Sequence, residues 1–472
     1  MSPRPSPGRS RAPDRSSAMQ SGRRGLVTTT AARLAPDAET LASPPRTLNG
    51  NHAQTEPVSC TRAIDETTET QEDCPVCRAD SSILRSIDPL ASDPSWPALA
   101  IADLFSGCGG LSLGLQRAAQ EAECSLDVKL ALDWDRTAID VYGDLFPTAT
   151  TVCKPIEDVL DGEMDSPPTP TEGELAEKVG RLDFMLGGPP CQGHSNLNNH
   201  SRRDDPRNGL YLRMARAAEV LRPSALIIEN VPTVTYDVQK AVQRTIEYLD
   251  ESLNYTVGAG VIDLSNLGVP QRRRRHIILA LQDADSDAQK LVDDLKSPIC
   301  GHVPRTVRWA IEDLEDEPSS CIFDTASTPY PVNQSRIDWL FDKDKTNLPN
   351  RLRPPCHRSD HSYTAMYGRM EWDLPAQTVT TGFNSMGQGR YVHPSRRRVI
   401  TPHEAARLQT LPDFVNFRTV PARKHLAKLI GNSVPPLLSY AIGRSVIPLL
   451  RDTPQISREA GAPDRSAIRQ GG

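Results

Sequence analysis

Residues 98–110 read Ala98-Leu99-Ala100-Ile101-Ala102-Asp103-Leu104-Phe105-Ser106-Gly107-Cys108-Gly109-Gly110. The apolar run Ala98–Leu104 stops at a turn of small residues, and Leu111–Ala122 beyond it has helical spacing. The pattern predicts a strand, a glycine-rich turn and a helix. Such a turn brings backbone N–H groups close to a ligand at the helix N-terminus. Gly107-x-Gly109-x-x-Ser112 lacks the third glycine of the dinucleotide fingerprint. A nucleoside without a pyrophosphate therefore suits this loop better than a dinucleotide. A plain structural turn is the competing reading of these residues alone.

Outward from this stretch the pattern repeats. Val128–Leu132 predicts a second strand closed by Asp133-Trp134-Asp135, with Asp133 placed to accept from ribose hydroxyls and Trp134 to stack on an adenine. Leu182–Leu186 leads into Gly187-Gly188-Pro189-Pro190-Cys191, and Ala225–Ile228 into Glu229-Asn230-Val231-Pro232. Apolar runs alternating with helical patterns predict a doubly wound α/β sheet. The unusual residues fall just past the strand C-termini, where open sheets of this class bind ligands. From about Gln282 to Leu374 the alternation fades, which predicts a smaller, irregular second domain. Pro402–Leu411 and Pro435–Leu450 recover helical periodicity. Residues 1–93 and 452–472 lack it and are rich in polar residues and proline, so disorder is expected for both.

The chain has 472 residues and a formal net charge of −6, which argues against a generally basic nucleic-acid coat. Local clusters still set the field at a groove, and Arg272–Arg275 and Arg396–Arg398 are two of them; the alternative for either is a solvated basic face. The 10 cysteines have no framework spacing, so free thiols in a reducing cytosol are expected. Cys74-Pro75-Val76-Cys77 is half of a zinc motif without a second half, and no metal is expected. No apolar run reaches the roughly 18 residues of a membrane span, and the N-terminus lacks the apolar core of a secretory signal.

Two segments carry sharper chemistry. Prolines 189 and 190 hold the backbone rigid ahead of Cys191. Thiols react when partly exposed and activated; a small core residue is the competing reading. Glu229 is a helix cap or a site acid. If Arg272–Arg275 continue the apolar run after them as a strand, Arg273 and Arg275 share one face and Arg272 and Arg274 the other.

The ordered set Asp103–Gly110, Pro189-Pro190-Cys191-Gln192, Glu229-Asn230-Val231, Gln271–Arg275 and Gly431-Asn432-Ser433-Val434-Pro435-Pro436 closely resembles the DNA (cytosine-5) methyltransferases of bacterial modification systems. Thr378-Val379-Thr380-Thr381 and Glu404–Gln409 resemble a further block, and the resemblance spans about Ala98 to Pro448. It implies a Rossmann-like methyltransferase sheet using S-adenosylmethionine, formed by residues 94–281 and 421–451, with a target-recognition domain and connecting segment at 282–420. It implies a cofactor site at Phe105, Ser106, Gly107, Gly109, Gly110, Leu111, Asp133 and Trp134, closed by Asn432 and Ser433. Cys191 matches the nucleophile, Glu229 the acid at the base, and Arg275 and secondarily Arg273 the arginines at base and phosphate. Duplex DNA is the implied partner, with a restriction endonuclease of the same specificity beside it, for a monomer working in the bacterial cytosol. Base readers are expected within 282–355, among them Arg305, Arg308, Asn333, Gln334 and Arg336.

Three positions depart from the family pattern: His194 where phenylalanine is common, Lys154-Pro155-Ile156 where an acidic residue meets the adenine amino group (Glu157 or Asp158 being the substitutes at hand), and Leu429 where glutamine precedes the Gly-Asn block. An RNA methyltransferase of the same family, a catalytically silent DNA-binding module and a nucleotide-binding oxidoreductase are the competing functions. Intact Cys191 and the intact glycine loop speak against the second, and the missing third glycine against the last.

Overall fold

The structure, a computed structural model, describes residues 74–452 except 191–208, 237–239, 284, 299–303, 317–320 and 359–365. The expectation of disorder at 1–73 and 453–472 falls outside these residues.

Helix α1 (Pro75–Leu84) precedes a first run of alternating elements: β1 (Ala98–Leu104), α2 (Gly110–Glu121), β2 (Ser125–Asp133), α3 (Arg136–Leu145), β3 (Thr151–Cys153), α4 (Pro170–Val179), β4 (Phe184–Gly187), α5 (Gly209–Leu221), β5 (Ala225–Asn230) and α6 (Ala241–Glu247). Strands β6 (Thr256–Asp263), β7 (Gln271–Arg272) and β8 (Arg274–Leu281) follow, then α7 (Ala288–Asp294), α8 (Val307–Ile311), α9 (Pro331–Asp342), β9 (Ala376–Gln377), α10 (Pro402–Leu408), α11 (Arg423–Asn432) and α12 (Pro436–Asp452). The main sheet has the order β3-β2-β1-β4-β5-β8-β6. The pairs among β1 to β5 are parallel, and β8 runs antiparallel to both β5 and β6. A separate parallel pair joins β7 to β9.

Helices cover both faces, so β4 and β5 are buried at every residue and read as continuous apolar runs. Side chains alternate between two cores. Ile101, Phe184, Leu186 and Ile227 face one side, whereas Ala102, Met185, Leu226 and Ile228 face the other. The first core also contains residues of α2, α11 and α12, so the last part of the chain returns to cover the strand that began the sheet.

Two expectations need correction. Residues 75–84 are helical, although disorder was expected as far as 93. Pro75 at the first turn and the Cys74 Sγ accepting from the Cys77 N–H start the helix. Long-range contacts then hold it. Asp80 pairs at 2.5 Å with both Arg117 of α2 and Arg305, all three being buried. Arg85 donates to the Trp309 carbonyl and pairs with Asp313, each at 2.8 Å. Local composition could not report partners so distant in sequence. Removing one member of a buried ion pair costs about 3–5 kcal/mol, so α1 belongs to the fold.

The second correction concerns the expected boundary at 282. It is no break in the core: Ala288, Val292, Val307, Ala310 and Phe323 pack into the same cluster as the sheet. Among the described residues, a separate small core lies farther on, formed by Ile337, Leu340, Leu348, Tyr367, Met386, Val392 and Val399. No helix among the described residues is long and apolar enough to cross a membrane.

Candidate active site

The glycine loop leaves β1 through Phe105 at φ +58°, unusual for a residue with a side chain. Such strain collects at functional sites. Gly109 at φ +87° then caps α2. The Gly107 N–H donates to one carboxylate oxygen of Asp133 (2.9 Å) and the Asp135 N–H to the other (2.8 Å). Asp133 therefore braces the loop and keeps only its remaining lone pairs for a ligand. Burial pushes its pKa up, against the pull of these two backbone donors. Beneath the loop, Ser112 donates to buried Asp103 at 2.6 Å and lies 2.7 Å from the Tyr142 hydroxyl. Burial raises Asp103 to about 7 and Cys108 to about 11, so Cys108 is an inert thiol.

Trp134 projects from the end of β2 with 66% of its surface exposed. The second wall comes from the chain's return. A Cβ on Gly110 would collide with the Val434 carbonyl and lie 2.9 Å from the Ser433 hydroxyl. The Ser433–Val434 segment thus sits directly on the start of α2, where Leu111 is buried. The expected cofactor residues Phe105 to Leu111, Asp133, Trp134, Asn432 and Ser433 are brought to one end of the sheet. Glu157 and Asp158 follow β3 and are exposed.

The next strands supply a charged pair. Glu229, buried at the end of β5, meets the Arg275 Nε of β8 at 2.5 Å. Its other carboxylate oxygen lies 3.4 Å from the position of a Cβ on Gly188. Asn230 donates to the Pro189 carbonyl (3.1 Å) and accepts from the Val231 N–H (2.8 Å). The backbone leading into Cys191 is therefore held against Glu229 and Asn230. Cys191, Gln192 and His194 lie outside the described residues. Tyr211, not anticipated from sequence, is buried, and among the described residues its hydroxyl has no hydrogen-bond partner. Burial first, and then the charge of Glu229, drive its pKa upward.

Burial alternates from Gln271 to Arg275 as expected, with Arg272 and Arg274 exposed. Arg273 turns inward. Its guanidinium donates to the Val379 carbonyl (2.9 Å) and the Ser433 carbonyl (3.1 Å). Gln271 donates to the Leu408 carbonyl and Gln409, and Gln409 donates to the Ile430 carbonyl. Four sequence blocks are thus wired together through buried polar groups. Arg273 is a strut between them, which accounts for two of the donors expected at base or phosphate.

The second arginine cluster is neutralised. Arg396 pairs with Glu315 and Asp316, Arg397 with Asp338 and Asp342, and Arg398 with buried Glu404 at 2.6 Å. The expected base readers also have protein partners. Arg305 is enclosed by Asp80, Gly268 and Trp309. Arg308 pairs with Glu312 and Asp373. Gln334 bonds Asp338, and Arg336 donates to Asn333 and the Leu352 carbonyl. Arg305 is buried too deeply to read a base.

A family model described as C-5 cytosine-specific DNA methylase matches residues 99–448. The chain is 41% identical over 364 residues to the Type II methyltransferase M1.BsuMI of Bacillus subtilis strain 168, covering 77% of this chain and 84% of that protein. It is 28% identical over 443 residues to DNA (cytosine-5)-methyltransferase 4 of Arabidopsis thaliana, covering 75% of this chain but 28% of that longer protein. A solved structure, a putative DNA modification methyltransferase encoded within an E. coli prophage, aligns with a TM-score of 0.51 at 25% identity, over 75% of this chain and 100% of the other. The glycine loop facing the Gly-Asn-Ser return, the Glu229–Arg275 pair beside Pro189 and the match across residues 99–448 agree: this chain belongs to the C-5 cytosine-specific DNA methylases.

Proposed function

We propose that this chain transfers a methyl group from S-adenosylmethionine to C5 of a cytosine flipped from duplex DNA, with Cys191 as the nucleophile. The supporting observation is the Glu229–Arg275 pair, 2.5 Å apart, set against Gly188 on the backbone just before Cys191. S-adenosylmethionine is the methyl donor of this family. The chain's residues suit it: a backbone cradle at Gly107–Gly110, an acceptor in Asp133 and an exposed ring in Trp134.

Cytosine C5 is a poor nucleophile toward a sulfonium. Addition of the Cys191 thiolate to C6 breaks the C5–C6 π bond and makes C5 enamine-like, splitting one hard step into two easier ones. Glu229 supplies a proton at N3 and accepts from the exocyclic amine, while Arg275 donates to O2. Preorganised groups of this kind contribute about 3–4 kcal/mol each. S-adenosylmethionine supplies the methyl group and departs as a neutral thioether. A base then takes the C5 proton, the C5–C6 double bond reforms, and the C6–S electrons return to Cys191. The target base must first leave the helix stack. Arg272 and Arg274 are exposed, which supports a role for them at the DNA phosphates. No step requires a metal.

The Type II name of the Bacillus relative supports a companion endonuclease cutting the same sequence. The region with its own small core, about 326–399, is the best candidate for reading that sequence. Cys191→Ser tests the central claim. The variant should bind S-adenosylmethionine as the parent does and transfer no labelled methyl to DNA. Parent-like transfer by the variant rejects Cys191 as the nucleophile.

A further inference from the structure

Lys428 lies on α11, five residues before the Ser433 whose hydroxyl meets Gly110 of the glycine loop. A lysine on an amphipathic helix ordinarily points to solvent. This one crosses to the opposite wall of the cofactor pocket. Its Nζ donates to Asp135 at 2.6 Å and stands 4.6 Å from the centre of the Trp134 ring.

Asp135 is itself fixed. Its other carboxylate oxygen caps α3 by accepting from the Thr137 N–H at 2.9 Å. The ammonium therefore rests on an anchored carboxylate and covers part of one ring face. Among the described residues, none accepts a hydrogen bond from the Trp134 indole nitrogen to hold the ring. What orients it is the backbone: the neighbouring Lys154 N–H donates to the Asp133 carbonyl (3.1 Å) and the Cys153 thiol points to the Trp134 carbonyl (3.7 Å). The side chain itself is left to Lys428.

We infer that Lys428 is a cofactor-positioning residue, acting through Trp134, which it holds across the adenine subsite by a cation–π contact anchored on Asp135. The adenine stacks on the ring face that Lys428 leaves open. A cation over one face also offsets the cost of fixing an exposed ring before the ligand arrives, since preorganisation raises affinity by lowering the ordering cost of binding. The contact joins α11 to the end of β2, so the walls that enclose the cofactor are linked at the mouth as well as at Gly110.

This inference rests on the reading of the pocket as an S-adenosylmethionine site. The experiment separates the two. Titration calorimetry of the full chain with S-adenosylmethionine and with its demethylated product tests the site itself: failure of the parent protein to bind either rejects the site. Given parental binding, Lys428→Met should weaken both ligands by about three- to tenfold, the scale of a partly exposed cation–π contact. Both carry the same adenine, so the two losses should match. At saturating S-adenosylmethionine kcat should be retained, and Lys428→Arg should restore affinity. Unchanged affinity in Lys428→Met, tighter binding, or a fall in kcat at unchanged affinity would overturn the assignment. Tighter binding would mean that the ammonium competes with adenine for the ring.

Discussion

Arg272–Arg275 and Arg396–Arg398 are alike in composition and opposite in use. In the first cluster the strand alternation divides the work. Arg275 meets Glu229 at the site, Arg273 ties its own block to those of Val379 and Ser433 from within, and Arg272 and Arg274 stay exposed. In the second cluster each arginine is taken up by carboxylates from other elements, and Arg398 serves the buried Glu404. A run of arginines is a potential field; the acidic groups that the fold brings to it decide how much field remains. The first cluster should therefore govern activity and DNA binding, and the second stability.

The largest effect is expected at Arg275. Arg275→Ala should lower kcat by about 10²–10³-fold, the loss typical of one preorganised donor, measured as methyl incorporation at saturating DNA and cofactor. A fall confined to KM for DNA would reassign Arg275 to phosphate. The matching change in the second cluster, Arg398→Met, leaves Glu404 without its bidentate partner. Its cost should be about 3 kcal/mol in denaturant unfolding, with kcat of the surviving folded protein unchanged. An Arg398→Met enzyme that is stable but inactive would collapse the distinction.

Salt dependence sharpens the contrast at smaller magnitude. Arg272→Ala with Arg274→Ala should weaken binding to all DNA sequences alike. It should also reduce the slope of log K against log salt by about two, one per lost phosphate contact. Arg396→Ala with Arg397→Ala should leave the slope unchanged.

The smallest effect concerns His276, which follows Arg275 on the opposite face of β8. Burial depresses its pKa to about 4, and its Nδ1 has no partner among the described residues. A depressed histidine favours the folded state fully above its unfolded value near 6.5 and loses that contribution as pH falls toward 4. Thermal stability should drop between pH 6.5 and 5 by roughly 2 kcal/mol from this residue. His276→Gln should flatten that part of the profile, and an unaltered profile would show that acid lability arises elsewhere.

Much of the site was legible along the chain because local rules govern it. Strand-to-turn transitions mark where Gly107–Gly110, Asp133, Pro189 and Glu229 lie, and the parallel sheet gathers all such transitions at one end. Arg305 misled because it resembles a base reader in any one-dimensional reading; its partner, Asp80, stands 225 positions upstream in a segment that composition marks as disordered. Lys428 was overlooked for a related reason. Its spacing on α11 is that of a solvated face, and only the return of α11 over the sheet brings it to Trp134.

By itself, then, the sequence determined the α/β class and the order of the chemical blocks, and it nominated Cys191 and Glu229 for the proposed chemistry, because periodicity, turn residues and short motifs act over a few neighbouring positions. The tertiary structure alone decided that α1 belongs to the core, that Arg273 faces inward, that Arg396–Arg398 are neutralised and that Lys428 reaches Asp135 and Trp134. Each of those outcomes depends on a partner dozens or hundreds of residues away, and the energy of a charge or a hydrogen bond is set by what burial and folding place beside it.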